Sequence, residues 1–369
     1  MERLNWHAAA ELARVADVRV VGPAGAAVLA PPGVAVHEVP LTPLPRFLVQ
    51  ALFKACREAR AWKPDVVVAG SGLTAPIAYA AARAGAARSA AYVHGLDVVV
   101  PNVVYRTLWW PILRRVDRLI ANSGATASLC GDIGVDVRRI GIVHPGVALP
   151  DAPPDESLVD RFRSQHGLAG RRLLLSVGRL TDRKGLREFV THALPRIVAT
   201  VPDATLVVVG DAPSHALHAK GQSRESIETA ALQAGVSDHV LFTGVVTDSE
   251  LAIIYGAASV HVFPVRELPG DPEGFGMVAV EAAATGLPTV AFTSGGVRDA
   301  VGHEASGYLV PSGEYEAFAD AVVRVLTTGR PDRNSCKSFA RKFAWTSFGE
   351  QLARELRLAP RQADGDSDG

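Results

Sequence analysis

The chain is expected to fold as two doubly wound α/β domains, each a largely parallel sheet between layers of helices. Three observations carry that expectation. Short β-branched runs alternate with Ala-, Arg- and Leu-rich helical stretches in two successive series, a Pro-bearing segment separates the series, and 369 residues exceed what one ordinary core fills. Two such domains facing across a cleft would present their ligands at the carboxyl ends of the strands.

In chain order, a helix over residues 5–15 precedes a strand at 18–21, and further strands are expected at 65–69, 89–93, 118–121 and 140–144. The segment 147–157, with Pro150, Pro153 and Pro154, reads as the interdomain linker. Strands of the second series fall near 173–177, 205–209, 240–243, 260–263, 289–292 and 308–310. A Lys/Arg-rich amphipathic helix then runs from about Asn334 to Leu358. The resulting division is 1–150 for the first domain, 151–335 for the second, 336–358 for a helix crossing back to the first, and 359–369 for a disordered tail.

Composition excludes several classes. No uninterrupted apolar run of about 18 residues marks a membrane span, and no basic segment followed by an apolar core and cleavage site marks a signal peptide. Cys56, Cys130 and Cys336 stand far apart and form no C-x-x-C, so reduced thiols and a cytoplasmic location are expected. The zero net charge hides an asymmetry: residues 1–150 carry sixteen Lys/Arg against ten Asp/Glu, leaving the remainder acidic by the same margin. A basic first half suggests an anionic acceptor or an anionic membrane surface, which would make the protein peripheral to the inner face of the plasma membrane. Two aromatic-basic stretches could rest on such a surface, one over 45–63 and one over 105–118 with Trp109 and Trp110 beside Arg114 and Arg115. Ordinary amphipathic core helices would look the same. No recognisable nucleic-acid module is present.

The segment Pro272-Glu273-Gly274-Phe275-Gly276-Met277-Val278-Ala279-Val280-Glu281 holds the densest chemistry. A helix-competent run starts at Met277, so Gly274, Phe275 and Gly276 form a loop whose backbone N–H groups lie at a helix N-terminus, where phosphate binds readily. Glu273 precedes the helix and Glu281 lies inside it, ~7–8 Å further along the axis at the usual rise per residue. One carboxylate can then reach a sugar and the other a ribose. Two isolated glutamates in such places would simply be a surface residue and a helix-dipole residue.

The ordered motifs resolve that ambiguity. The spacing of Glu273 and Glu281 resembles the E-x7-E signature of the glycosyltransferase family 4 group, retaining enzymes of the GT-B fold. Leu175-Ser176-Val177-Gly178-Arg179-Leu180 with Arg183-Lys184-Gly185, Val208-Val209-Gly210-Asp211-Ala212-Pro213, Phe242-Thr243-Gly244 and Ser294-Gly295-Gly296-Val297-Arg298-Asp299 are similar to family segments in the same order. So are Ala121-Asn122-Ser123 and His144-Pro145-Gly146-Val147 at the end of the first domain. Ala212 stands where glycine is usual.

The resemblance implies a GT-B hexosyltransferase that retains anomeric configuration, moving sugar from a UDP- or GDP-sugar to a lipid-linked or saccharide acceptor. In that reading Arg179 and Lys184 stabilise the departing diphosphate. Glu273 accepts from sugar hydroxyls and Glu281 from ribose hydroxyls. Gly178, Gly210, Gly274, Phe275, Gly276 and Met277 shape the donor site, and Thr243 with Gly244 borders the base. His94, in Tyr92-Val93-His94-Gly95-Leu96-Asp97, faces the transferred sugar, while Ser71, Gly72 and Asp97 lie on the acceptor side; Asp97 could equally cap the helix that follows. No cofactor beyond the donor and no metal is expected. A GT-B nucleotide-sugar epimerase and a non-catalytic sugar-nucleotide-binding protein are the alternatives.

One departure bears on the fold. Family members begin with a buried strand and a Gly-Gly loop, whereas Met1-Glu2-Arg3-Leu4 reads as starting inside that loop. The resemblance therefore implies a first domain lacking its first strand, with neighbouring strand edges exposed. Weaker patterns carry less. Gly70-Ser71-Gly72-Leu73-Thr74-Ala75 satisfies G-x-G-x-x-A but lacks an acidic residue about 20 positions on. His215 and His218 have no Cys or carboxylate companions at ligand spacing, and the D-x-D at Asp364 and Asp366 lies in the expected tail, so it does not imply a metal-dependent transferase.

Overall fold

The structure, a computed structural model, describes residues 2–212 and 222–358. The His215/His218 and Asp364/Asp366 patterns, Pro213 and the tail lie outside the described residues. Contacts divide the chain into two units, one of Met1–Gly146 with the segment from Trp345, the other of Val147–Ala344.

In the first unit, strands β1 (Arg19–Pro23), β2 (Ala35–Val39), β3 (Val66–Ala69), β4 (Arg88–Val93), β5 (Arg118–Ala121) and β6 (Ile140–Ile142) are all parallel to their partners. They form two sheets, β1-β2 and β3-β4-β5-β6, so β1 and β3 each keep one edge without a strand partner among the described residues. The strand β2 was not foreseen. Its few alternating residues sit between Pro32 and Pro40 and include His37 and Glu38, which masks the pattern.

Helix α1 (Glu2–Ala13) packs on the helix Trp345–Glu355, whose Phe348 and Leu352 join Leu4, Tyr92, Ile120 and Val143 in one cluster. Helix α2 (Leu44–Trp62) packs on α3 (Ala75–Gly85), β1 and β2. Cys130 is buried among the core of β4 and β5, where loss of solvation pushes its thiol up to about 12.

The second unit holds β7 (Arg172–Val177), β8 (Ala204–Val209), β9 (Val240–Gly244), β10 (Val260–Phe263), β11 (Thr289–Phe292) and β12 (Gly307–Val310). They form one parallel sheet ordered β12-β11-β10-β7-β8-β9. Every residue of β8, β10 and β11 is buried, as expected of a parallel sheet covered on both faces.

The single helix expected over 336–358 is instead two, Arg333–Ala340 and Trp345–Glu355, joined by a 3₁₀ turn at Arg341–Phe343. The break has a local cause. Phe343 is buried and its carbonyl accepts from Val147 N–H (2.7 Å), while Ala344 leaves helical backbone to bridge to Val147.

Candidate active site

In the second sheet, β7 lies between β8 and β10, the point at which strand order reverses and the outgoing loops diverge. The loops leaving β7 and β10 meet there: Arg266 N–H donates to the Arg183 carbonyl (2.8 Å). Gly185 has a positive φ of 66°, and a β-carbon on it would strike the Pro264 carbonyl. On the other side of β7, Gly178 N–H donates to Val209 (2.9 Å) and Gly210 N–H to Gly244 (2.8 Å). The Gly178 carbonyl occupies the space a side chain on Gly210 would need. These glycines let the ends of β7, β8, β9 and β10 close on one another.

The charged centre is built on this frame. Lys184 Nζ lies 2.8 Å from Glu273 Oε2 and 4.6 Å from the centre of the Phe263 ring. The Lys184 and Glu273 side chains are 20% and 12% exposed. Arg183, which the sequence left as a motif neighbour, is buried: it donates to the Pro272 carbonyl (2.6 Å) and stands 3.5 Å from Asp271 and 3.7 Å from Glu273. Burial would raise the Glu273 carboxyl, but Lys184, Arg183 and Arg179 outweigh it and hold it below the ordinary glutamate value. Burial, with Arg183 and Arg179 adding to it, draws the Lys184 ammonium down against the pull of Glu273. Beneath lies His261, fully buried in β10; loss of solvation and then Lys184 take its imidazole down to about 3, so it is neutral.

Arg179 is exposed and has no hydrogen-bond or ion-pair partner among the described residues, yet it acts electrostatically on both Lys184 and Glu273. Three cations therefore meet the carboxylates of Glu273 and Asp271. The surplus positive charge suits an anion such as a diphosphate.

The helix Met277–Thr285 starts beside this centre, with Gly276 at its N-cap in the left-handed region (φ 97°) and the Phe263 ring against it. Phe275 is buried, 5.7 Å from the Phe343 ring, and Met277 packs partly buried on the same cluster. The loop's shape is fixed from behind: Gly296 N–H donates to the Glu273 carbonyl (2.9 Å), and a side chain on Gly295 or Gly296 would meet the Glu273 or Gly274 carbonyl. Glu281 is half-buried in the helix, where Tyr255 Oη reaches it at 3.5 Å. Thr243 donates to the Val208 carbonyl (3.2 Å) and lines a cavity of about 350 Å³ together with Phe162, His166, Val245 and Ile254. None of Arg179, Lys184 and Glu273 lines that cavity.

In the first unit, the ends of β3, β4 and β5 collect a second group. His94 Nε2 lies 3.0 Å from the Gly70 carbonyl. Asp97 accepts from His94 N–H (2.8 Å) and from Gly72 N–H (2.7 Å), so it ties two loops together instead of capping the short helix Leu96–Val99, whose N-cap is Gly95. Ser71 is half-buried, with its hydroxyl 3.4 Å from that of Thr74. Asn122, quoted only as part of a motif, donates to the His94 carbonyl (3.4 Å), and its own carbonyl lies 3.2 Å from His144 Nδ1.

The two tryptophans, for which the sequence left both a membrane surface and an ordinary core helix open, are used internally. Trp109 donates to the Leu73 carbonyl (2.9 Å) and stacks on Tyr105, and Trp110 donates to the Val98 carbonyl (3.1 Å). Arg114 donates to the Ile133 carbonyl. Their indole N–H groups find partners inside the fold, which short helical turns permit and the sequence did not reveal.

Two family models match the chain. The one described as glycosyl transferases group 1 matches residues 159–343, and the one described as glycosyltransferase family 4 matches residues 1–149. A GDP-mannose-dependent alpha-(1-6)-phosphatidylinositol monomannoside mannosyltransferase of Mycobacterium tuberculosis is 33% identical over 71% of this chain and 67% of its own length. Its counterpart in Mycolicibacterium smegmatis is 31% identical over 81% and 79%. Among solved structures, HepE of Anabaena in complex with UDP superposes with a TM-score of 0.79 at 19% identity, covering 97% of this chain and 96% of that one.

Proposed function

This chain belongs to the group 1 glycosyltransferases with a family 4 N-terminal half and has the GT-B fold, and from that premise we propose that it is a retaining, metal-independent hexosyltransferase acting on a lipid-linked or saccharide acceptor. The observation that carries this reading is the partly buried Lys184–Glu273 pair at the reversal point of the second sheet, with Arg179 beside it and without a hydrogen-bond or ion-pair partner among the described residues. Relatives named as GDP-mannose-dependent make GDP-mannose the first donor to test, and a structural neighbour solved with UDP-glucose keeps UDP-hexoses on the panel.

In the proposed reaction the acceptor hydroxyl oxygen bonds to the sugar's anomeric carbon on the face from which the diphosphate departs. The bond from that carbon to the β-phosphate oxygen breaks, the diphosphate keeps the electron pair, and the acceptor proton passes to it. Arg179 and Lys184 stabilise the charge that develops on the phosphate as the bond lengthens, a contribution of about 3–4 kcal/mol for one such preorganised group. Glu273, held as a carboxylate by its cations, accepts from sugar hydroxyls, and Glu281 accepts from the ribose. His94 and Asn122 are assigned to the sugar and acceptor side.

The test is release of GDP or UDP from a panel of sugar nucleotides, with and without lipid extract and with a chelator present. Product anomers are read by NMR. Acceptor-dependent release with retained configuration is expected. Inverted product would overturn the retaining assignment, while epimerised donor without release would favour the epimerase.

A further inference from the structure

Glu273 sits near the far end of a connection without regular structure, the residues between β10 and the helix Met277–Thr285. Arg183 grips that connection at two points. Its carbonyl accepts from Arg266 N–H (2.8 Å) at the start, and its Nη1 donates to the Pro272 carbonyl (2.6 Å) next to Glu273. Nη1 also stands 3.5 Å from Asp271 Oδ1, and the side chain is only 10% exposed, which leaves it little surface for a ligand. One donor is left over. Arg183 Nε–H is buried, has no hydrogen-bond acceptor among the described residues, and its nitrogen lies 3.7 Å from Glu273 Oε2. An unmet buried donor beside a carboxylate is costly unless the gap closes at some stage of the working cycle. In the structure that same oxygen is held by Lys184 Nζ at 2.8 Å.

The proposed reaction asks Lys184 both to hold Glu273 and to stabilise the departing diphosphate. We propose that Arg183 is a positioning residue that takes over Glu273 as Lys184 turns to the diphosphate: Nη1 keeps the Pro272 carbonyl fixed while Nε closes on Oε2, so the carboxylate keeps its place. Arg183 acts through Glu273 and touches neither sugar nor phosphate. The inference rests on the reading of Glu273 as the sugar-binding carboxylate. The charged groups that face Glu273 are Lys184, Arg183 and Arg179 from the loop after β7, with Asp271 beside Arg183. The short helix Val297–Ala300, behind the loop, carries Arg298 and Asp299, and β10 carries the neutral His261. Burial raises the Glu273 carboxyl, and Lys184, Arg183 and Arg179 together hold it below its ordinary value. Loss of Arg183 therefore raises it, and activity that needs the carboxylate fails at a higher pH on the acid side.

The test is the pH profile of kcat on the full chain, with the sugar nucleotide that wild type turns over, beside calorimetric affinity for GDP and UDP. Arg183→Met should lower kcat at least about tenfold and move the acid limb up by roughly one pH unit, with nucleotide affinity within about threefold of wild type. Arg183→Lys keeps the charge and loses the fork, so it should leave the acid limb in place and lower kcat at least about threefold. In a Glu273→Gln background, Arg183→Met should lower kcat by less than about a further threefold, because the carboxylate it serves is gone. A shifted acid limb or wild-type kcat in Arg183→Lys, an unshifted limb in Arg183→Met, or additive losses in the double variant would overturn the proposal. So would a tenfold loss of nucleotide affinity in Arg183→Met, which would put Arg183 on the diphosphate. If circular dichroism shows Arg183→Met unfolded, Arg183→Lys decides on its own two readouts. Wild-type turnover in Glu273→Gln would overturn the reading beneath the proposal, and the proposal with it.

Discussion

The two units solve the same architectural problem with different materials. In the second, the strand ends are held by glycines packed on carbonyls, and the charged centre is a partly buried pair backed by two arginines, at the end of one continuous six-stranded sheet. In the first, the strands fall into two sheets, and the groups at their ends are joined by hydrogen bonds to main chain: Asp97 to His94 and Gly72, His94 to Gly70, Asn122 to His94. Under the proposed reaction, fixed electrostatics in the second unit would suit the diphosphate of the donor, and loop positioning in the first would suit the acceptor.

The largest effect should follow from removing charge in the second unit. Lys184→Ala and Glu273→Gln should each lower turnover at least about 100-fold, the loss typical of one preorganised group, with the circular dichroism of the folded chain retained. Near-normal turnover in both would break the comparison at its stronger end. A smaller effect is expected from Asp97→Ala, which leaves the N–H groups of His94 and Gly72 without their acceptor. A loss of about 2 kcal/mol, or roughly 30-fold faster hydrogen exchange at those two amides, is expected while amides of β7 to β12 exchange as before. Faster exchange across both sheets would mean that the carboxylate has a wider role than loop positioning.

Much of this contrast was legible in the sequence because the second unit carries its charged centre and its glycine contacts in consecutive residues. Gly178-Arg179, Lys184-Gly185 and Glu273 to Met277 are short motifs whose spacing fixes a loop and a helix start. Strand positions were legible too, since fully buried parallel strands are dense in Val, Leu and Ile. What escaped depends on contacts between distant segments. Arg183 matters because the loop after β10 folds back onto it, as the Arg266–Arg183 backbone bond shows. Asp97 became a loop tie only because β3 and β4 run side by side. The directions of Trp109 and Trp110 are set by helical turns too short to display periodicity.

The central claim is that the diphosphate is held by the second unit's cations. It is tested most directly by calorimetric titration of GDP and UDP into wild type, Arg179→Ala, Lys184→Ala and His94→Ala. The account predicts that the better nucleotide loses at least about tenfold in affinity with each of the first two variants, consistent with loss of a charge-assisted hydrogen bond of about 1.5–3 kcal/mol, and binds His94→Ala as it binds wild type. Unchanged affinity in both Arg179→Ala and Lys184→Ala, or a comparable loss in His94→Ala alone, would contradict it.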